Sequence, residues 1–424
     1  MIYTIMAGDT LYKIAEKYNV SLEELISLNG LTQPNNLVIG QNIFVPTNIE
    51  RNTYTVVAGD TMYKIAERFG VTLEKLISAN PQIANPNLIN IGDIINIPNS
   101  KRSIEVNGYA VANISPSTLS KTLPYLTYMS IFSYEARRDG SLTRLYEENL
   151  IRQSYESAVA PVMVVTNIGE SGGFSSDIAS IILNNPETQN TFINNIISIL
   201  IDKNYYGVDI DFEYLYPQDR EAYNSFLKNL KSKLVPLGKT LSVAVAPKYR
   251  DNQQGILYEA HDYRAIGEIA DRVIIMTYEW GYLYGEPMAI SPLNEVEAVI
   301  SYAVTRIPSN KILMGMPNYA YDWQVPWKQG DVARTITNTR ALEIAIENGA
   351  TIYFDSKAQS PYFNYTDATG SNRVVWFDDA RSTDARLNLV NKYNLAGVSY
   401  WTINNFYPVN WSVLSSKFNV IKVV

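Results

Sequence analysis

The chain has 424 residues, a formal net charge of −7 and an apolar fraction of 46%. This acidic balance argues against nucleic acid or an anionic membrane surface as the main partner. Cysteine is absent and His261 is the only histidine, which excludes disulfides, thiolate metal sites and a histidine-rich zinc site.

Two features of the sequence, its hydrophobic runs and its first residues, indicate where the protein is located in the cell. No run of 18 or more apolar residues occurs, so we expect no transmembrane helix. Residues 1–4 lead directly into a repeat and lack the basic and apolar regions of a Sec signal. We therefore expect any placement outside the cytosol to use another route.

An internal repeat occupies residues 2–46 and 53–98. Each copy contains Ala-Gly-Asp-Thr and then an apolar pattern of helical period, which predicts a strand, two helices and a strand. Two short copies are too few for a solenoid, so we predict independent modules at 1–47 and 53–99. Polar linkers are predicted at 47–52 and 99–103.

The repeat resembles LysM, a βααβ module that binds glycans containing N-acetylglucosamine. The resemblance implies a glycan groove between two loops of each module. Those loops contain, in this sequence, Asp9, Thr10, Leu11, Asn29, Gly30 and Leu31, and then Asp60, Thr61, Met62, Asn80, Pro81 and Ile83. The alternative is that the aspartates and threonines only cap helices, and both roles can hold. Two weak sites would gain avidity on a polymer.

From residue 104 onward, short apolar runs alternate with helical stretches. Eight strands are predicted at 105–114, 128–135, 161–168, 206–213, 241–247, 273–278, 312–319 and 397–401. This order predicts an α/β fold, a TIM (β/α)8 barrel over residues 104–424. The stretch between the last two strands is too long for one β/α step, which predicts a small α+β insertion at about 330–385.

The run from Tyr206 to Tyr214 places carboxylates at alternate positions, on Asp209, Asp211 and Glu213. Alternate residues of a strand share one face, so the three acids are crowded together. Crowding and burial push pKa values apart, which suits an active site that needs one protonated acid beside ionised neighbours. The alternative is a calcium site, but an inward position on a barrel strand favours catalysis.

Several motifs of the barrel region resemble family 18 glycoside hydrolases. Residues 206–213 resemble the DxxDxDxE signature, with Tyr206 at its first aspartate. Residues 276–279 resemble MxYD, with Glu279 at the aspartate. Residues 315–319 resemble the seventh strand, and Trp401 resembles the tryptophan that ends the eighth.

The family resemblance implies substrate-assisted, retaining catalysis. Glu213 would be the general acid and then the base, Asp211 would orient the substrate acetamido N–H, and Asp209 would tune Asp211. Tyr278 would hydrogen-bond the acetamido carbonyl, and Trp401 would stack on the sugar. Further substrate contacts are expected at Tyr109, Asn318 and Tyr319. The alternative for Tyr278 and Trp401 is ordinary barrel packing. We expect no cofactor and no metal.

The single histidine needs a separate prediction. His261 follows a loop-like stretch, and we predict a surface or helix-cap role for it rather than catalysis.

LysM repeats, a family 18 barrel, no cysteine and no Sec signal together resemble the spore cortex-lytic N-acetylglucosaminidases of endospore-forming bacteria. The resemblance implies hydrolysis of β-1,4 bonds after N-acetylglucosamine in cortex peptidoglycan during germination. We expect a monomer at the spore coat or cortex, with neither nucleic acid nor membrane as partner. The alternatives are a chitinase, because LysM also binds chitin, and a non-catalytic lectin. Retention of Glu213 and Asp211 argues against the lectin.

Overall fold

The computed structural model describes residues 1–46, 53–69, 71–98 and 101–424. The predicted linker at 47–52 lies outside the described residues, as do residues 99 and 100 of the second linker. The rest of that second linker is not a linker, because Arg102 and Ser103 already belong to the first barrel strand.

Both repeats fold as the predicted strand, helix, helix and strand. Their elements are β1 (Ile2–Thr4), α1 (Leu11–Tyr18), α2 (Leu22–Asn29) and β2 (Asn42–Phe44), then β3 (Thr53–Thr55), α3 (Met62–Arg68), α4 (Leu73–Ser78) and β4 (Ile94–Asn96). The two strands of each repeat pair antiparallel. Thr10 and Thr61 cap α1 and α3, since each hydroxyl accepts a main-chain N–H three residues further on at 3.2 Å.

Eight parallel strands form the barrel. They are β5 (Arg102–Val111), β6 (Tyr128–Glu135), β7 (Ala160–Thr166), β8 (Gly207–Asp211), β9 (Thr240–Val245), β10 (Arg272–Ile275), β11 (Ile312–Pro317) and, after an insertion described below, β17 (Gly397–Trp401). Each strand pairs with the next, and β17 pairs with β5, which closes the barrel. The predicted TIM barrel is confirmed. A short strand, β18 (Phe418–Val420), pairs with the beginning of β5.

Helices surround the barrel, and their apolar faces form the main core with the outward side chains of the strands. They are α5 (Pro116–Thr122), α6 (Glu148–Glu156), α7 (Ser176–Asn184), α8 (Pro186–Asp202), α9 (Arg220–Leu234), α10 (Tyr263–Ile269), α11 (Leu293–Ala303), α13 (Ala380–Lys392) and α14 (Pro408–Lys417). In the part of the chain that the structure describes, no helix is long and apolar enough to cross a membrane.

The insertion lies between β11 and β17 and is a five-stranded sheet with one helix. Its elements are β12 (Ala320–Gln324), β13 (Arg334–Ile336), α12 (Asn338–Glu347), β14 (Tyr353–Asp355), β15 (Ser360–Thr366) and β16 (Asn372–Trp376). The strand order is β13-β12-β16-β15-β14. The insertion begins and ends earlier than the predicted 330–385, because β12 follows β11 almost directly and residues from Ala380 onward form a barrel helix.

The first repeat packs against the barrel. Its α2 and β2 contact α14, and β2 also contacts α13. Phe44 of β2 is buried within the main core. The Ser412 hydroxyl of α14 donates to the Leu28 carbonyl oxygen at 2.8 Å. Nothing in the repeat pattern predicts this contact, which makes the first repeat part of the same packed body as the barrel.

Candidate active site

Strand β8 positions the three acidic side chains. Phe212 packs outward, its ring stacked on that of Tyr223 in α9 at 6.2 Å between centroids and 9° between planes. Because successive residues of a strand face opposite ways, this packing directs Asp209 and Asp211 into the barrel. Glu213 lies two residues beyond the end of β8, at the carboxyl end where barrel active sites form.

Asp209 lies deepest of the three and is fully buried. Its carboxylate accepts hydrogen bonds from the Tyr109 and Ser242 hydroxyls, both at 2.6 Å. Burial raises the pKa of Asp209, and these two hydrogen bonds oppose that rise. Asp209 is therefore a well-satisfied carboxyl below Asp211.

Asp211 is buried and incompletely satisfied. Its Oδ1 atom has no hydrogen-bond partner among the described residues. Burial raises the pKa of Asp211 well above its usual range, and the neighbouring Glu213 and Asp209 raise it further. A buried acceptor of this kind is costly unless a donor arrives from outside the protein.

Glu213 is half-buried, between Asp211 and the open cavity. Burial, and then the charge of Glu279, raises the pKa of Glu213 to about 7. Because Glu213 also raises the pKa of Asp211, the two carboxyls together keep a proton at higher pH than isolated acids would. This is the protonation state that general acid catalysis needs near neutral pH.

A cavity of about 620 Å³ opens over Asp211 and Glu213. Its walls are largely aromatic, formed by Tyr109, Phe132, Phe174, Tyr214, Tyr258, Tyr278, Tyr282 and Trp401. Aromatic faces pack well on the apolar faces of sugar rings. The size and lining fit a site for a small sugar unit.

Trp401 anchors one wall of this cavity. Its ring meets those of Tyr109 and Phe132 edge to face, with centroids 5.5 Å and 4.9 Å away. This packing fixes the half-buried indole at the end of β17, where it lines the cavity.

Glu279 occupies the rim of the cavity. Its main chain has φ +69°, and its carboxylate accepts hydrogen bonds from the hydroxyls of Tyr319 and, at 3.0 Å, Tyr321. The glutamate that replaces the expected aspartate is therefore held in place by two tyrosines, and its charge acts on Glu213.

The family comparison agrees with this geometry. The sequence model of glycosyl hydrolases family 18 matches residues 131–405, and the LysM domain model matches residues 3–46 and 54–98. The chain belongs to glycosyl hydrolase family 18.

Individual relatives match along nearly the whole chain. The chain is 41% identical over 428 residues to the cortical fragment-lytic enzyme of Bacillus subtilis strain 168, covering 99% of both proteins. The crystal structure of the spore cortex-lytic enzyme SleL of Bacillus megaterium QM B1551 superposes with a TM-score of 0.87 at 40% identity, covering 100% of this chain and 99% of that one. A chitinase from Chromobacterium violaceum gives a TM-score of 0.67 at 25% identity, covering 73% of this chain and 98% of the chitinase chain.

Within the family 18 domain, two predicted substrate contacts lie behind the cavity wall. The Asn318 amide donates to the carbonyl oxygens of Thr402 and Asn405, at 2.7 and 2.8 Å. Tyr319 reaches the cavity through its hydrogen bond to Glu279. Direct contact of Asn318 and Tyr319 with substrate stays a prediction, whereas Tyr109, Tyr278 and Trp401 line the cavity.

The predicted LysM groove residues have clear structural roles. Leu11, Asn29, Leu31, Met62 and Asn80 are buried. Ile83 packs against the second repeat's core, and Thr10 and Thr61 are helix caps. Asp9 and Asp60 each accept a tyrosine hydroxyl, at 2.9 and 2.7 Å. Glycan contact by these residues stays a prediction.

The prediction of a surface or helix-cap role for His261 is wrong, because the residue is buried. Its Nδ1 accepts the Ala246 N–H at 3.0 Å, and its Nε2 donates to the Phe212 carbonyl oxygen at 2.9 Å. These two main-chain partners lie one residue beyond the ends of the adjacent strands β9 and β8, and they hold the imidazole in the interior of the family 18 domain.

Several aromatic residues of the cavity were not among the predicted site residues, namely Phe132, Phe174, Tyr214, Tyr258 and Tyr282. Phe132 lies in β6, and the others lie in loops that follow barrel strands. Aromatic residues near the carboxyl ends of predicted barrel strands were the signal that could have identified them.

Proposed function

We propose that this glycosyl hydrolase cleaves β-1,4 bonds after N-acetylglucosamine in peptidoglycan fragments of the spore cortex. Relatives named as cortical fragment-lytic and spore cortex-lytic enzymes match it over the full chain, both repeats included, at 41% and 40% identity. The protein would then act at the spore cortex, with glycan as its partner.

The observation that carries the proposal is the unpartnered, buried Oδ1 of Asp211 beside Glu213. An N–H group of the substrate can satisfy this oxygen, and the 2-acetamido group of N-acetylglucosamine supplies one. The same group supplies a carbonyl oxygen, which can act as the nucleophile in place of a second protein carboxylate.

The first step breaks the bond between C1 and the glycosidic oxygen. Glu213 gives its proton to the departing oxygen while the acetamido oxygen forms a bond to C1 from the opposite face. Asp211 accepts the acetamido N–H and stabilises the positive charge of the oxazolinium product. Asp209 holds Asp211 from below, and the Tyr278 hydroxyl binds the acetamido group.

The second step opens the oxazolinium. A water adds to C1, the bond between C1 and the acetamido oxygen breaks, and Glu213 takes the proton that the water loses. Two inversions at C1 give net retention. Because cleavage needs a protonated Glu213, the rate should fall as pH rises through about 7.

The repeats are proposed to hold the polymer near the barrel. Their grooves would use the loops around Asp9 and Asp60 and those that follow α2 and α4. Binding at two linked sites raises the affinity for a polymer over that for a short oligomer.

Product analysis tests the proposal. Purified protein is incubated with cortex fragments, and the products are reduced and identified by mass spectrometry. New reducing-end N-acetylglucosamine is expected, while new reducing-end muramic acid would overturn the proposed bond. Glu213→Gln should abolish turnover and spare glycan binding. Glu221→Gln, at an exposed position on α9, is the matched control and should keep full activity.

A chitinase is the second candidate, because the barrel also superposes on the Chromobacterium violaceum chitinase. Turnover of chitin oligomers and of cortex fragments is compared side by side. Faster turnover of chitin would favour this candidate. Binding to either polymer with no new reducing ends would instead indicate a lectin.

A further inference from the structure

Beyond the end of β8, side chains hold the main chain around Glu213. The Glu213 N–H donates to Asn167 Oδ1 at 2.9 Å, and Asn167 Nδ2 donates to the Glu213 carbonyl oxygen at 2.8 Å. Asn167 is itself fully buried just after β7. One side-chain amide thus satisfies both main-chain groups of Glu213, as a neighbouring strand would.

The residues on either side of Glu213 are also fixed. His261 Nε2 donates to the Phe212 carbonyl oxygen at 2.9 Å, and the Ser176 hydroxyl donates to the Tyr214 carbonyl oxygen. Burial lowers the pKa of His261 to about 4, so the imidazole is neutral near pH 7. The hydrogen bond from His261 is therefore constant over the working pH range.

The carboxyl group of Glu213 is not restrained in the same way. Within the described residues, hydrogen bonds to Glu213 reach its main chain, and none reaches its carboxyl group. The position of this carboxyl therefore depends on where the main chain holds the residue.

We propose that Asn167, supported by His261, is a positioning residue that fixes the main chain of Glu213 and so places its free carboxyl group at the scissile bond. The inference rests on the proposed function, in which Glu213 is the acid. The carboxyl must reach the glycosidic oxygen first and the incoming water later. This requires a mobile side chain on a fixed main chain. A misplacement of about 1 Å can lower a rate roughly 100-fold.

Replacing Asn167 by alanine tests the inference. Asn167→Ala should lower kcat on cortex fragments roughly 10- to 100-fold and change KM little, because the cavity that binds the sugar is unchanged.

The chain offers a matched control for the loss of such a pair of hydrogen bonds. Asn404 makes the same pair of hydrogen bonds to Val111, accepting its N–H at 2.8 Å and donating to its carbonyl oxygen at 3.1 Å. Val111 is at the end of β5 and carries no acid. Asn404→Ala should lower the melting temperature by an amount similar to that of Asn167→Ala and leave kcat nearly unchanged.

The pH dependence of kcat distinguishes a role of Asn167 in positioning Glu213 from a role in folding alone. The groups that face Glu213 are Asp211, Glu279 and the tyrosines Tyr214 and Tyr278, whose hydroxyls stay neutral in the working range. In Asn167→Ala the acid moves toward water, so the alkaline limb of kcat should shift to lower pH. Asn167→Asp keeps an acceptor for the Glu213 N–H and adds a negative charge, so its limb should shift to higher pH.

The outcomes are distinguishable. New reducing-end muramic acid would overturn the proposed function, and full activity of Glu213→Gln would overturn the role of Glu213 as the acid, on which this inference rests. An inactive Glu213→Gln together with an Asn167→Ala variant whose kcat and pH limb match those of Asn404→Ala would overturn only this inference. If Asn167→Ala does not fold, the kcat of Asn167→Asp decides, because this variant loses the hydrogen bond to the Glu213 carbonyl oxygen. A kcat equal to that of Asn404→Ala would then contradict positioning.

Discussion

The two LysM repeats fold alike and meet different surroundings. In the first, Phe44 is buried in the main barrel core and Val38 in the core of the insertion. The equivalent residues of the second repeat are Asn96 and Asn90, and both are exposed. The buried apolar residues of the second repeat form a separate cluster. The residues on one face of a repeat thus determine whether it docks on the barrel and the insertion, and the βααβ fold is the same in both repeats.

A pair of equivalent glycines shows the same difference. Gly40 and Gly92 have φ +84° and +94°. A Cβ on Gly40 would lie 1.9 Å from the Ile352 carbonyl oxygen, whereas one on Gly92 would meet nothing within 4 Å. The Ile352 N–H also donates to the Ile39 carbonyl oxygen at 2.9 Å. Gly40 is therefore needed both for its backbone conformation and for the close approach of the insertion.

Docking also affects the predicted glycan groove of the first repeat. A Cβ on Gly30, in a loop of that groove, would lie 2.6 Å from Pro408 of α14. The corresponding loop of the second repeat begins at Pro81, which is exposed. We therefore expect the first repeat to act mainly as part of the catalytic body and the second to provide more of the glycan binding.

The largest effect is expected from Phe44→Ala. Removing a buried aromatic ring should cost about 3–5 kcal/mol of unfolding free energy. Asn96→Ala, at the equivalent exposed position, should stay within about 0.5 kcal/mol. Urea unfolding followed by circular dichroism measures both. Equal small losses would show that docking adds no stability to the barrel.

The glycine pair gives the next effect. Alanine at either position costs roughly 1–2 kcal/mol for the positive φ. Gly40→Ala must in addition relieve the overlap with the Ile352 carbonyl, which requires the first repeat to move away. Hydrogen exchange at the Ile352 amide should therefore speed up in Gly40→Ala and stay unchanged in Gly92→Ala. Unchanged exchange in both variants would argue against rigid docking.

These contrasts separate what sequence patterns predict from what they leave open. The period-two spacing of Asp209, Asp211 and Glu213 is local, so it predicts that the three acids share one face of a barrel strand. The repeat likewise predicts both βααβ modules. Phe44 could not be assigned to the barrel core, because an apolar residue in a short strand has the same pattern whichever partner covers it.

The supports of Glu213 were also beyond prediction. Asn167 and His261 act on residues 46 and 49 positions away in the chain, which only the closed barrel brings together. An asparagine after one strand and a histidine after a loop carry no periodic signal, and for this reason the surface prediction for His261 was wrong. Sequence spacing does not predict which residues at the ends of neighbouring parallel strands contact each other.

The two repeats should differ less in glycan binding than they do in stability. Thr10→Ala and Thr61→Ala remove equivalent caps and should each cost about 1 kcal/mol of stability. Binding to insoluble peptidoglycan, measured by sedimentation of the full chain, should fall several-fold in Thr61→Ala and less in Thr10→Ala. A larger loss in Thr10→Ala would assign the main glycan contact to the docked repeat.

The smallest effect concerns one hydrogen bond across the docking surface. The Ser412 hydroxyl donates to the Leu28 carbonyl oxygen at 2.8 Å, whereas the Ser416 hydroxyl, on the same helix, donates within α14 to Val413 at 2.7 Å. Ser412→Ala should cost about 1 kcal/mol, since it removes a bond between two elements distant in sequence. Ser416→Ala should stay within about 0.5 kcal/mol, since its bond does not cross the docking surface. The same two serine substitutions are then made in the Phe44→Ala variant. If the difference in unfolding free energy between them disappears there, the Ser412 bond forms only when the first repeat is docked.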